Sequence, residues 1–245
     1  MPSRPAAVLL LAVGLGGCLR YEYEHEFWLR VDGSGAVNVT GRPALWTAFK
    51  GLGGAAGPEA AAGVEAARAL FERSGLRVRR ATLTRREGRP YLFVSAEFDD
   101  VNALPRTPAF PDLEIALRKE QDRLVLEGSW ARPEGTAEVG APVGAPDRQG
   151  LMAVRLHLPS KVYAHKNAHD GVERGNIVGW RQGVGEALDG RALDFGAEMD
   201  DRSILLSTVM LFGSAILLAL LLLAGGLWAL VRRGRRDLEA DHPRA

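Results

Sequence analysis

The chain has 245 residues, 47% of them hydrophobic and 25% charged, with 31 basic against 30 acidic side chains and a formal net charge of +1. That composition supplies a core and excludes an acidic disordered tail or a collagen-like repeat, while the balanced charge gives no basic footprint for nucleic acid. One cysteine excludes an internal disulfide framework and any multi-cysteine metal site.

Residues 1–17 carry Arg4, an apolar run from Ala6 to Leu15 and then small residues before Cys18. The run is too short to span a bilayer and reads as a secretory signal. Leu15-Gly16-Gly17-Cys18 resembles the lipobox of bacterial lipoproteins, so Cys18 is the predicted lipidation site and first residue of the mature chain. The plainer alternative is an ordinary signal peptide with an incidental cysteine.

The external domain, residues 18–202, opens on Tyr21 to Val31, which alternates Tyr21, Tyr23, His25, Phe27, Leu29 and Val31 against Glu22, Glu24, Glu26, Trp28 and Arg30. This is the pattern of a half-buried strand. Asp32-Gly33-Ser34-Gly35 turns it into a second strand over Ala36 to Thr40. A Gly/Ala-rich stretch then leads to one main helix near residues 58–73, stopped at Ser74-Gly75. Leu76 to Arg85 and Tyr91 to Phe98 flank Arg86-Glu87-Gly88-Arg89-Pro90 as a second hairpin, and Leu113 to Leu117 with Arg123 to Trp130 form a third. Residues 134–150 lack periodicity and read as an exposed loop. Short closing strands are expected at Val154 to Leu158, Lys161 to His165, Asn176 to Arg181 and Ala192 to Ala197. The predicted fold class is α+β, a mostly antiparallel β-sheet domain with one main helix.

From Ile204 to Val231, 28 residues pass without a charge. A helix of that length measures about 40 Å, more than the ~30 Å hydrocarbon core, so a transmembrane helix is expected over residues 203–231. Arg232, Arg233, Arg235 and Arg236 follow it, and the positive-inside rule places the basic tail, residues 232–245, in the cytoplasm. The expected location is the cell (inner) membrane, with the main domain facing the periplasm or exterior.

A lipobox followed by an aromatic strand with a DGSG turn, an Arg-rich hairpin, a closing module and a C-terminal apolar helix resembles the LppM family of bacterial envelope lipoproteins, a family of largely unassigned function. The closest local match is Leu158-Pro159-Ser160-Lys161-Val162, Asn167 and Gly175-Asn176-Ile177-Val178-Gly179-Trp180. Ala168 follows Asn167 where the family usually has glycine, and Gly179 stands where threonine is common. The resemblance implies a β-rich extracytoplasmic domain tethered to the membrane and hands over no catalytic residues.

Two clusters carry candidate chemistry. His165, His169 and Asp170 offer metal-ligating groups, but Asn167 and Gly171 argue for a solvated turn, so no metal is expected there. Arg73, Arg77, Arg79, Arg80, Arg85, Arg86 and Arg89 gather seven guanidinium groups in one hairpin region. The last six could bind an anionic lipid headgroup or glycan, or form the wet face of the hairpin, with Arg77 and Arg79 paired across strands with Glu22, Glu24 and Glu26. No nucleophile elbow, P-loop or dinucleotide glycine pattern occurs, so the chain reads as a non-enzyme without a cofactor. The expected function is a non-enzymatic binding or interaction domain in the cell envelope, partnered by membrane lipid and an envelope protein or anionic ligand. The alternative is a structural or regulatory subunit of a membrane protein complex, and a third reading is a metal-dependent envelope hydrolase.

Overall fold

The computed structural model describes residues 21–52, 60–132, 148–169, 171–173, 175–202 and 204–240. In chain order its elements are β1 (Tyr21–Leu29), β2 (Gly35–Gly41), α1 (Pro43–Lys50), α2 (Ala60–Arg73), β3 (Arg77–Arg86), β4 (Arg89–Phe98), β5 (Leu113–Glu120), β6 (Arg123–Trp130), β7 (Leu151–His157), β8 (Val162–Lys166), β9 (Val172–Glu173), β10 (Ile177–Gly183), α3 (Val184–Leu188), β11 (Leu193–Asp200) and α4 (Ile204–Ala240). The α+β class holds. One sheet has the order β3-β4-β2-β1-β7-β10-β9 and the other β5-β6-β11-β8, every pairing antiparallel except β1 with β7.

The β1–β2 hairpin forms where the sequence puts a turn. Gly33 adopts φ 82°, which a glycine enters without steric cost. Asp32 Oδ1 accepts hydrogen bonds from the Ser34 amide at 3.0 Å and the Ser34 hydroxyl at 2.7 Å. Across the hairpin Gly41 faces Tyr23, and a Cβ there would fall 2.0 Å from the tyrosine ring. The close approach lets that ring pack inward, in contact with Trp46, Phe49 and Trp130.

The alternation in β1 sorts the large sheet into two faces. Val39, His25, Val154 and Trp180 are register partners in a row across β2, β1, β7 and β10, and all four are buried. The second sheet covers that face, with Trp130 of β6 stacked on Tyr23 and Phe195 of β11 against Trp180. The opposite face carries Glu24, Glu26 and Trp28 beside Ala153, Arg155 and His157.

Two short helices stand where no element was expected. Helix α1 begins with Pro43 and ends on Gly51 at φ 66°, burying Leu45, Trp46 and Phe49. Its caps fit the usual asymmetry of proline at the start and glycine past the end. Helix α3, only five residues long, follows β10 directly. The expected main helix begins at Ala60, and residues 53–59 lie outside the described residues. Within α4, Thr208–Arg233 has a mean hydropathy of 2.4 and is long and apolar enough to cross a membrane, with none of it buried against the domain. The helix continues past Val231 to Ala240, so the arginine cluster belongs to the same helix.

Candidate functional site

The six candidate arginines do not converge on one site. Arg77 Nη1 donates to both carboxylate oxygens of Asp99 at 2.9 and 3.0 Å, and Arg79 Nη2 donates to Glu97 at 2.8 Å. Arg86 lies 5.0 Å over the Tyr91 ring, and Arg89 reaches to 4.0 Å of Glu22. Arg80 and Arg85 form no ion pair among the described residues. The expected pairing of Arg77 and Arg79 with the β1 glutamates is corrected: β4 and β2 separate β3 from β1, and Glu97 of β4 and Asp99 just after it take the arginines. Arg79 occupies an irregularity in the register between Val78 and Arg80, on an edge strand. Bulges and charges on an exposed edge oppose pairing with other chains.

The β1 glutamates meet partners that no local pattern announces. Glu26 Oε1 lies 2.7 Å from His157 Nε2, and Arg155 stands 3.8 Å from Glu24 and 3.9 Å from Glu26. The His157 ring stacks on Trp28 at 4.6 Å with an interplanar angle of 15°. Burial raises the Glu24 carboxyl above the usual range, with the neighbouring Glu26 charge adding to it and Arg155 opposing it. Glu22 is buried and receives Arg42 at 3.5 Å and the Tyr91 hydroxyl at 3.1 Å. The alternation identified these acids as one face, but the cations reach Glu24 and Glu26 through the parallel β1–β7 pairing, which joins segments far apart in sequence.

The core contains a second polar set. Lys50 Nζ lies 3.4 Å from Asp112 Oδ1 with both side chains unexposed; it also donates to the Ala109 carbonyl and sits 4.6 Å from the Phe110 ring. Trp130 Nε1 donates to Asp112 Oδ2 at 2.6 Å. His25 is wholly buried between Tyr23 and Trp130, at ring distances of 5.2 and 4.6 Å, and neither ring nitrogen has a hydrogen-bond partner among the described residues. Burial, assisted by the Lys50 charge, holds its pKa well below the ordinary value.

His165 is still in β8, paired with Ala197 of β11, and the chain turns away after Lys166, with Asn167 at φ 55°. His165 Nδ1 accepts from the Ala168 amide at 3.3 Å, and His169 Nδ1 accepts from the Arg181 amide at 3.2 Å. Each ring therefore spends one nitrogen on backbone, leaving Nε2–H as a donor in the neutral form. Asp170 and Cys18 lie outside the described residues. Asn167 and His169 border a cleft of about 290 Å³ together with Arg181, Gln182, Glu186, Arg191, Ala192, Leu193 and Asp194. It forms where the end of β10 and helix α3 meet the start of β11.

No protein-family model matches the chain, and no curated protein matches it in sequence. Among solved structures it is similar to the NMR structure of the folded domain of LppM from Mycobacterium tuberculosis, with 14% identity, a TM-score of 0.39, and coverage of 74% of this chain and 90% of that one. The functional reading therefore rests on the chain's own residues.

Proposed function

We propose that the protein is a membrane-tethered envelope lipoprotein whose domain, residues 18–202, lies outside the cytoplasm and binds a partner without catalysis. The observation that carries this reading is the apolar stretch Thr208–Arg233, exposed along its length and followed by Arg235 and Arg236. A helix of that composition is stable in lipid, where its backbone groups bond internally and its side chains leave water. A diacylglyceryl group on Cys18 would be the second anchor, and two anchors hold a protein on a membrane far more firmly than one acyl chain.

The binding role is favoured over hydrolysis by the geometry of the 165–169 turn. His165 and His169 each commit Nδ1 to a backbone amide, an arrangement suited to holding a turn. The test is acyl labelling of growing cells with a radioactive fatty acid, followed by isolation of the protein. Label on the native chain that disappears in Cys18→Ala supports the reading, and an unlabelled native chain overturns its lipoprotein part.

A further inference from the structure

The cleft between β10, α3 and β11 contains a residue that the fold alone does not explain. Gln182 is the register partner of Met152, which faces the core from β7, and is itself 9% exposed. Most of the side chain is buried at this inward-facing strand position, while its carboxamide atoms keep an opening to the cleft. No hydrogen bond holds the Gln182 side chain among the described residues, although it lines the cleft. An amide held at a cleft by a largely buried side chain, with no protein partner, is presented to a polar ligand without reorganisation.

The surrounding groups define that ligand's charge. Glu186 is occupied on both oxygens, Oε1 by Arg191 Nη1 and Oε2 by the Gly183 amide at 3.2 Å. Asp194 has Lys166 Nζ at 3.8 Å. With these acids offset, the remaining capacity is mostly donor: the other guanidinium N–H groups of Arg191, the Gln182 amide, the Asn167 amide and His169 Nε2–H. We propose that this cleft binds a small oxyanion, a carboxylate or a phosphate ester, with Arg191 and Gln182 as its principal donors. The volume fits a compact ligand or one headgroup. This site deepens the binding role given above and rests on that reading, but not on how the protein is anchored.

The test uses the full chain purified in detergent micelles, so that a failure of membrane topology leaves it untouched. Thermal unfolding is followed while inorganic phosphate or acetate is titrated against chloride at constant ionic strength. A ligand that binds only the folded form raises the melting temperature saturably. The expected result is such a rise with at least one anion: phosphate alone identifies a phosphate ester, and acetate alone or both anions identify a carboxylate site. Arg191→Gln should weaken the apparent affinity ~10-fold or more, as loss of a charge-assisted bond does. Gln182→Leu, which keeps the buried body of the side chain and removes the amide, should abolish most of the anion-dependent rise. The proposal is overturned by the lack of a saturable rise with both anions, or by a rise that survives both substitutions.

Discussion

Lys50 Nζ and Asp112 Oδ1 lie 3.4 Å apart in the core with neither side chain reaching solvent, joining the last turn of α1 to the segment before β5. Trp130 of β6 donates to the other carboxylate oxygen, so one buried aspartate ties α1 to the smaller sheet. Removing one member of a buried pair strands the other charge. Asp112→Ala should therefore cost about 3–5 kcal/mol in denaturant unfolding. Combining Lys50→Met with Asp112→Leu should cost less than Asp112→Ala alone, since the pair's desolvation is relieved together with its attraction.

His25 makes the domain acid-sensitive in a defined direction. Its folded pKa lies well below 6.5, so below that pH the unfolded chain binds a proton that the folded chain refuses. Stability should be level above pH ~7 and fall as pH drops from 6.5 toward the depressed value, with a slope of at most about 1.4 kcal/mol per pH unit from this residue. Besides Tyr23 on its own strand, the ionisable groups of this core are Lys50 on α1 and Asp112 before β5. His25→Leu, compared with the native chain across pH 5 to 7.5, should remove that part of the slope.

Glu24 carries the opposite sign. Its carboxyl is raised by burial, so the folded state holds its proton more tightly than the unfolded state does and ionisation at neutral pH opposes folding. Glu24→Gln should raise the melting temperature at pH 7, and the gain should vanish as pH falls through the raised pKa. Arg155 keeps Glu26 as a partner in the variant.

The hairpins were legible because Asp32-Gly33 and Glu87-Gly88 combine turn residues with flanking alternation, and the helix over Ala60–Arg73 because it is long enough to show a period. Helix α1 was not read from the sequence: eight residues give barely two turns of pattern, and only Pro43 and Gly51 mark its ends. The parallel β1–β7 pairing was not legible: it brings Glu26 and His157 together across 131 positions, and no local periodicity encodes a crossover partner. Gln182 was hidden for a related reason. A polar residue between Arg181 and Gly183 looks like a strand end until the register places it opposite Met152.

The Arg-rich hairpin yields a contrast between its own members. Arg79→Ala should lower the melting temperature slightly, and an Arg79→Glu, Glu97→Arg exchange should recover only part of the loss, because Glu97 also lies 3.6 Å from its register partner Arg77, which the exchange sets against a second guanidinium. Arg80→Ala with Arg85→Ala should leave melting unchanged, as neither residue is engaged in an ion pair. If the doubly substituted protein loses salt-sensitive adhesion to anionic vesicles while the native chain shows it, those two arginines serve a lipid surface.

The proposed topology sets the domain outside the membrane and the tail inside. Because a lipidated Cys18 has no free thiol, single cysteines can be introduced into the native chain at Lys161, an exposed residue before β8, and at Arg244 in the tail. Intact spheroplasts are then treated with a membrane-impermeant maleimide, with detergent-opened cells as the control for reactivity. That topology leads to labelling of Lys161→Cys in intact spheroplasts and labelling of Arg244→Cys only after detergent. Labelling of Arg244→Cys in intact spheroplasts, or protection of Lys161→Cys until detergent is added, would contradict it.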